Sequence, residues 1–141
     1  GNAGSLSDVV DYITIASTGD ATDFGDSVTA RDSIGACGSR TRAIFMGGNS
    51  PTMLDVIEYF TIASTSDTTD FGNLSAARAN PCSSSMSSDT RGIIAGGASP
   101  SAPINIIEYI TNASTGDAAD FGDLTATRTL TAGCSDVHGG L

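Results

Sequence analysis

The chain repeats itself three times, and this constrains its fold more than any other feature. DVVDYITIASTGDATDFGDSVTAR runs from Asp8, DVIEYFTIASTSDTTDFGNLSAAR from Asp55, and NIIEYITNASTGDAADFGDLTATR from Asn105. Tyr12, Tyr59 and Tyr109 are spaced by 47 and 50 residues. Phe24, Phe71 and Phe121 keep those intervals, as do Arg31, Arg78 and Arg128. Between the copies lies a second shared stretch, TRAIFMGG from Thr41 to Gly48 and TRGIIAGG from Thr90 to Gly97. The 141 residues are read as one repeat domain, 1–141, with units of about 1–47, 48–96 and 97–141.

The residues inside each unit point to strands. All six cationic residues are Arg, and only two of the 16 acids are Glu. With so little Glu and no Lys, helices lack their usual formers, whereas Val, Ile and Thr are abundant and clustered. We therefore expect an all-β chain of four short strands per unit, twelve in all. The first strand, VVDYITIA or its equivalent, is apolar on both faces, which suits a strand covered by neighbouring sheets. STGDATD follows as a turn, and a short strand then runs from the Phe towards the Arg. The third strand lies in a Ser/Gly/Cys-rich segment and is the least distinct. The fourth, AIFM or GIIA, stops at a pair of glycines, Gly47–Gly48 and Gly96–Gly97, where positive φ lets the chain turn.

Four strands in 43 to 50 residues is the signature of a propeller blade. Four apolar residues, a Gly pair, a loop, a strand with Tyr, a turn, an aromatic and then Arg resembles the kelch or galactose-oxidase type of blade. The resemblance covers almost the whole chain. It departs where Phe24, Phe71 and Phe121 stand in place of the usual Trp. The wording TIASTGDATDFGDLT, the later TRG–GG and the C-terminal GCSDVHGGL are similar to repeats in virion and tail-associated proteins of marine bacteriophages. That resemblance implies a virion surface or tail-fibre component that contacts a host or other virion proteins. Three four-stranded units also fit a β-trefoil or a three-sheet β-prism. The Gly pair and the repeat length favour propeller-type blades.

Charge narrows the partners. A net charge of −10 repels phosphate backbones and anionic lipid, so neither nucleic acid nor membrane insertion is expected. No apolar run approaches the roughly 20 residues of a membrane helix. The chain opens on Gly1 rather than Met, as a processed or partial chain does.

The acids fall into two recurring sets. Asp20, Asp23 and Asp26, then Asp67, Asp70 and Asn73, then Asp117, Asp120 and Asp123 place oxygens at i, i+3 and i+6 on the turns. Such a spacing could gather Ca²⁺, although it matches no EF-hand. Turn capping by Asp is the simpler reading, so no metal or other cofactor is expected. Asp11, Glu58 and Glu108 each precede the Tyr, and each unit holds the matching Arg31, Arg78 or Arg128. A carboxylate in a strand covered on both faces needs a partner. We expect Arg78 to bridge Glu58 or the matching acid of a neighbouring blade. A ring of acids lining a channel is the alternative.

The rest of the sequence argues against catalysis. His138 is the only His and has no partner at a repeating spacing, so neither a triad nor a galactose-oxidase metal site of Tyr and His ligands can be assembled. Cys37, Cys82 and Cys134 read as buried free thiols. Asn73 and Asn112 head glycosylation tripeptides, which matter only in a secreted eukaryotic chain. The reading is a non-enzymatic structural or adhesive module on a virion or extracellular surface. A carbohydrate-binding propeller lectin, holding a host surface glycan through Asp, Asn and Tyr between blades, is the alternative. Open sheet edges at both ends imply completion by another copy in a homo-oligomer, such as six blades from two chains, or by blades upstream of Gly1.

Overall fold

The computed structural model describes residues 4–81 and 86–135, and within them the chain is all-β. Its nine strands are β1 (Val9–Tyr12), β2 (Thr22–Asp26), β3 (Gly35–Gly38), β4 (Arg42–Met46), β5 (Val56–Thr61), β6 (Thr69–Asn73), β7 (Arg91–Ala95), β8 (Ile106–Thr111) and β9 (Ala119–Asp123). Every pairing is antiparallel, in three sheets ordered β1-β2, β3-β4-β5-β6 and β7-β8-β9.

The sheets are cut at a different phase from the sequence units. The four-stranded sheet crosses the junction between units 1–47 and 48–96, taking two strands from each. A repeat has no natural starting point in sequence, whereas hydrogen bonds choose one. The strand after the glycine pair folds back on the strand before it, in the registers Ile44↔Tyr59 and Ile93↔Tyr109. The chain leaves each sheet just after the Phe strand.

Among the described residues nine strands are seen, where twelve were expected of the whole chain. The Ser/Gly/Cys-rich third strand forms as β3, paired with β4. Its counterpart before β7 amounts to one bridge, Ser87 to Gly92, beside residues 82–85, which are not described. The residues after Cys134 that would continue the pattern lie largely outside the described range.

Each glycine pair turns the chain as expected. Gly47 and Gly48 have φ of 64° and 112°, and Gly96 and Gly97 have 61° and 107°. Gly48 N–H donates to the Arg78 carbonyl at 2.9 Å, and Gly97 N–H to the Arg128 carbonyl at 2.8 Å. A Cβ at Gly47 would stand 2.5 Å from the Arg78 carbonyl oxygen, so that close approach requires glycine. The pair thus fixes the backbone of the Arg that ends each copy.

The core gathers Ile44, Met46, Ile57, Phe71, Leu74, Ile94 and Ile110. It lies in and between the second and third sheets. In β5, Ile57, Glu58 and Phe60 are all buried, so both faces of the strand are covered. β1 departs from this pattern. Its Val9 is 52% exposed and its Tyr12 42%, because only one of its faces has a neighbouring sheet.

Candidate functional site

The recurring polar residues meet at two joints, one between the first and second sheets and one between the second and third. Both use the same parts. Arg31 Nη2 stands 3.0 Å from Glu58 Oε2, and both side chains are 2% exposed. Arg78 Nη2 donates to Glu108 Oε2, with the side chains 0% and 2% exposed. The Arg that ends one copy therefore pairs with the acid of the next copy, not with its own. Burial lowers the pKa of both guanidinium groups, and the facing carboxylates pull the other way.

Beside its ion pair, each buried carboxylate also accepts a hydrogen bond from another group, by two routes. At the first joint Thr68 Oγ1 donates to Glu58 at 2.9 Å and accepts from Val28 N–H at 3.0 Å. At the second joint Ala118 stands where Thr68 stood. With no hydroxyl to intervene, Glu108 Oε1 accepts directly from the N–H of Ser75, the counterpart of Val28, at 2.9 Å. Arg78 Nη1 adds the carbonyls of Gly96 at 3.3 Å and Ile106 at 3.4 Å. Buried ions persist when hydrogen-bonded as Arg78 and Glu108 are.

The Asp-rich turns complete each joint. Asp67 Oδ1 accepts from Asp26 N–H at 3.1 Å, and Asp117 Oδ1 from Asn73 N–H at 2.9 Å. The adjoining Thr68 N–H and Ala118 N–H donate back to the Asp26 and Asn73 carbonyls, both at 2.9 Å. Each turn thereby covers the open edge of the preceding Phe strand. Asp20, Asp23, Asp70 and Asp120 are exposed, the last three within the Phe strands. Among the described residues, no three His, Cys, Asp or Glu converge as metal ligands.

The Phe-Gly pair of every copy forms a β-bulge. Ile57 faces Gly72 while Glu58 faces Asp70, which leaves Phe71 as the extra residue; Phe24 and Phe121 occupy the same place. A bulge re-aims its side chain. Phe71 points inward, edge-on to Tyr59 with ring centroids 5.9 Å apart. The glycine after it has φ near 149°, and a Cβ there would collide with the Gly116 carbonyl oxygen of the approaching turn.

Asp11 and Arg128, expected to bridge like their counterparts, do not. Both are exposed, and among the described residues neither has an ion pair. They lie on the two outer faces of the stack, where no further sheet stands among the described residues. Cys134 is exposed rather than buried, and Cys37 is partly buried, its thiol pushed up to about 12 by burial. Cys82 and His138 lie outside the described residues. Asn112 is 2% exposed and donates its side-chain N–H to the Ser88 carbonyl, so its glycosylation tripeptide is closed off in the fold.

Arg42 and Arg91 escaped the sequence reading. They stack over Tyr59 and Tyr109 at 4.3 and 4.5 Å from the ring centroids, and Arg42 Nη1 reaches the Asn112 carbonyl of the next sheet at 2.8 Å. Their signal was present in the shared TR opening of the fourth strand. That strand lies diagonally beside the Tyr. No protein-family model matches the chain, and no curated protein does.

Proposed function

We propose that the chain is a non-enzymatic module of propeller-type blades with a structural or adhesive role, carried on a virion or extracellular surface. One observation carries this reading. Arg31, Arg78, Glu58, Glu108, Asp67 and Asp117, six of the charged residues that recur in the repeat, join one sheet to the next. Groups so occupied hold a scaffold together. The exposure of Val9 at one outer face and Phe121 at the other, 52% and 53%, favours stacked blades over a trefoil or prism closed within one chain. The phage assignment rests on the sequence resemblance. Mass spectrometry of purified virions tests it: the chain's peptides should copurify with tail or capsid proteins, and their presence only in host lysate would refute it.

A lectin is the second reading. It is favoured by a cleft beside the first joint, lined by Ser7, Asp8, Ser27, Val9 and Phe45 with Arg31. Glycan-array binding lost on Asp8→Ala would support it, and a blank array would leave the scaffold reading.

A further inference from the structure

We propose that the outer face of the third sheet docks onto the outer face of the first sheet of a second copy of this chain, repeating the internal joint between molecules. The two faces carry the two halves of the same joint. Arg128 occupies the place of Arg31 and Arg78, and Asp11 that of Glu58 and Glu108. Internally those residues are at most 3% exposed, whereas Arg128 and Asp11 are open to solvent. The charges are opposite, and the positions on each face are fixed by the same strand and turn.

The backbone matches as well. In the second joint Asn73 N–H donates to Asp117 Oδ1, while Gly116 N–H donates to the Phe71 carbonyl at 2.7 Å. On the outer faces the same roles fall to Asp123 N–H with Asp20, and to Gly19 N–H with the Phe121 carbonyl. Phe121 is 53% exposed where Phe71 is 2%. Gly122 keeps the φ of Gly72, 140° against 149°, yet nothing lies within 4 Å of its Cβ position. An uncovered edge strand ending in a bulged, exposed Phe is a surface that natural sheets cover. Asp11 is one methylene shorter than the glutamates, so its pairing requires Arg128 to extend further or a water to bridge.

Continuity with the two internal joints, together with opposite charge, selects another copy as the occupant over an unrelated protein. The contact does not depend on the blades closing a ring. Two copies could form a closed set of six blades, and an open filament would use the same contact.

Charge reversal tests this with folded proteins, because both residues are exposed. Sedimentation equilibrium at micromolar concentration should show the chain associated. Arg128→Asp and Asp11→Arg should each weaken association by about a hundredfold or more, while thermal melts show both still folded. Mixing the two variants in equal amounts should restore association, because opposite charges then face each other wherever the two variants alternate. The carboxylate introduced by Arg128→Asp meets the guanidinium introduced by Asp11→Arg, and the unchanged Arg128 of one variant meets the unchanged Asp11 of the other. A monomeric wild-type chain would overturn the proposal, as would single variants that associate like wild type or a mixture that stays monomeric. A closed dimer against an open polymer separates the ring of the propeller reading from the docking contact itself.

Discussion

Arg78, in the loop after β6, and Glu108, in β8 of the next sheet, lie thirty positions apart in sequence and are joined by a charge-assisted hydrogen bond with both side chains almost fully buried. Arg31 and Glu58, one sheet earlier, form a buried ion pair at 3.0 Å in the matching positions. The link therefore runs forward along the chain from each copy to the next, and it recurs because the repeat recurs. Thr68 at the first joint and Ala118 at the second show that the surrounding hydrogen bonds can be rearranged without losing the ion pair.

Thr68→Ala should therefore be mild. The second joint shows a glutamate reaching the neighbouring amide without a hydroxyl in between. We expect a loss of about 1 kcal/mol by urea denaturation, the scale of a single hydrogen bond. A loss of several kcal/mol would mean that Glu58 cannot make the adjustment seen at Glu108.

Gly72→Ala and Gly122→Ala should differ sharply. Both residues have positive φ, so each change brings backbone strain of about 1–3 kcal/mol. Only at Gly72 does the new Cβ also strike a carbonyl oxygen of the next turn. Thermal melts of the isolated chain should show Gly72→Ala as clearly the more damaging, and equal losses would put the close approach in doubt.

Asp26 lies at the crowded acidic end of the first joint. Partial loss of solvent raises its pKa first, and the charges of Asp8, Asp67 and Asp23 raise it further. A carboxyl raised in the folded state favours the fold while protonated, and that gain disappears as the pH climbs through its folded pKa. Asp26→Asn should thus raise the melting temperature at neutral pH in low salt. The gain should shrink with added salt and vanish in acid. A gain independent of both would point to another cause.

Cys37 should resist thiol reagents. A pKa of about 12 leaves on the order of one thiol in ten thousand ionised at pH 8. Peptide mapping after brief alkylation of the native chain should find Cys134, which is exposed, modified well before Cys37. Equal labelling would show that the second sheet opens readily.

Much of this was legible in the residues. The repeats, the β-branched strands and the glycine pairs pointed to an all-β chain with turns at Gly47–Gly48 and Gly96–Gly97. The joint recurrence of Arg and acid marked the residues of the ion pairs. Which acid each Arg meets was not legible, because one period gives the same spacing for a partner in its own sheet or in the next. The Ser/Gly/Cys-rich strand was faint because β3 is held by pairing with β4 rather than by its own propensity. The bulge at Phe71–Gly72 was hidden for a similar reason. The recurring pair is visible, but its need for glycine comes from Gly116, which approaches from the next sheet.

The most direct measurement is a double-mutant cycle on Arg78 and Glu108, followed by chemical denaturation. Arg78→Met strands a buried carboxylate and Glu108→Gln a buried guanidinium, so each should cost about 3–5 kcal/mol. The double variant, lacking both charges, should recover a large part, giving a coupling of about 2 kcal/mol or more. Single losses below about 0.5 kcal/mol with no coupling are the behaviour of a solvent-exposed pair. That result would contradict the claim that these ion pairs hold successive sheets together.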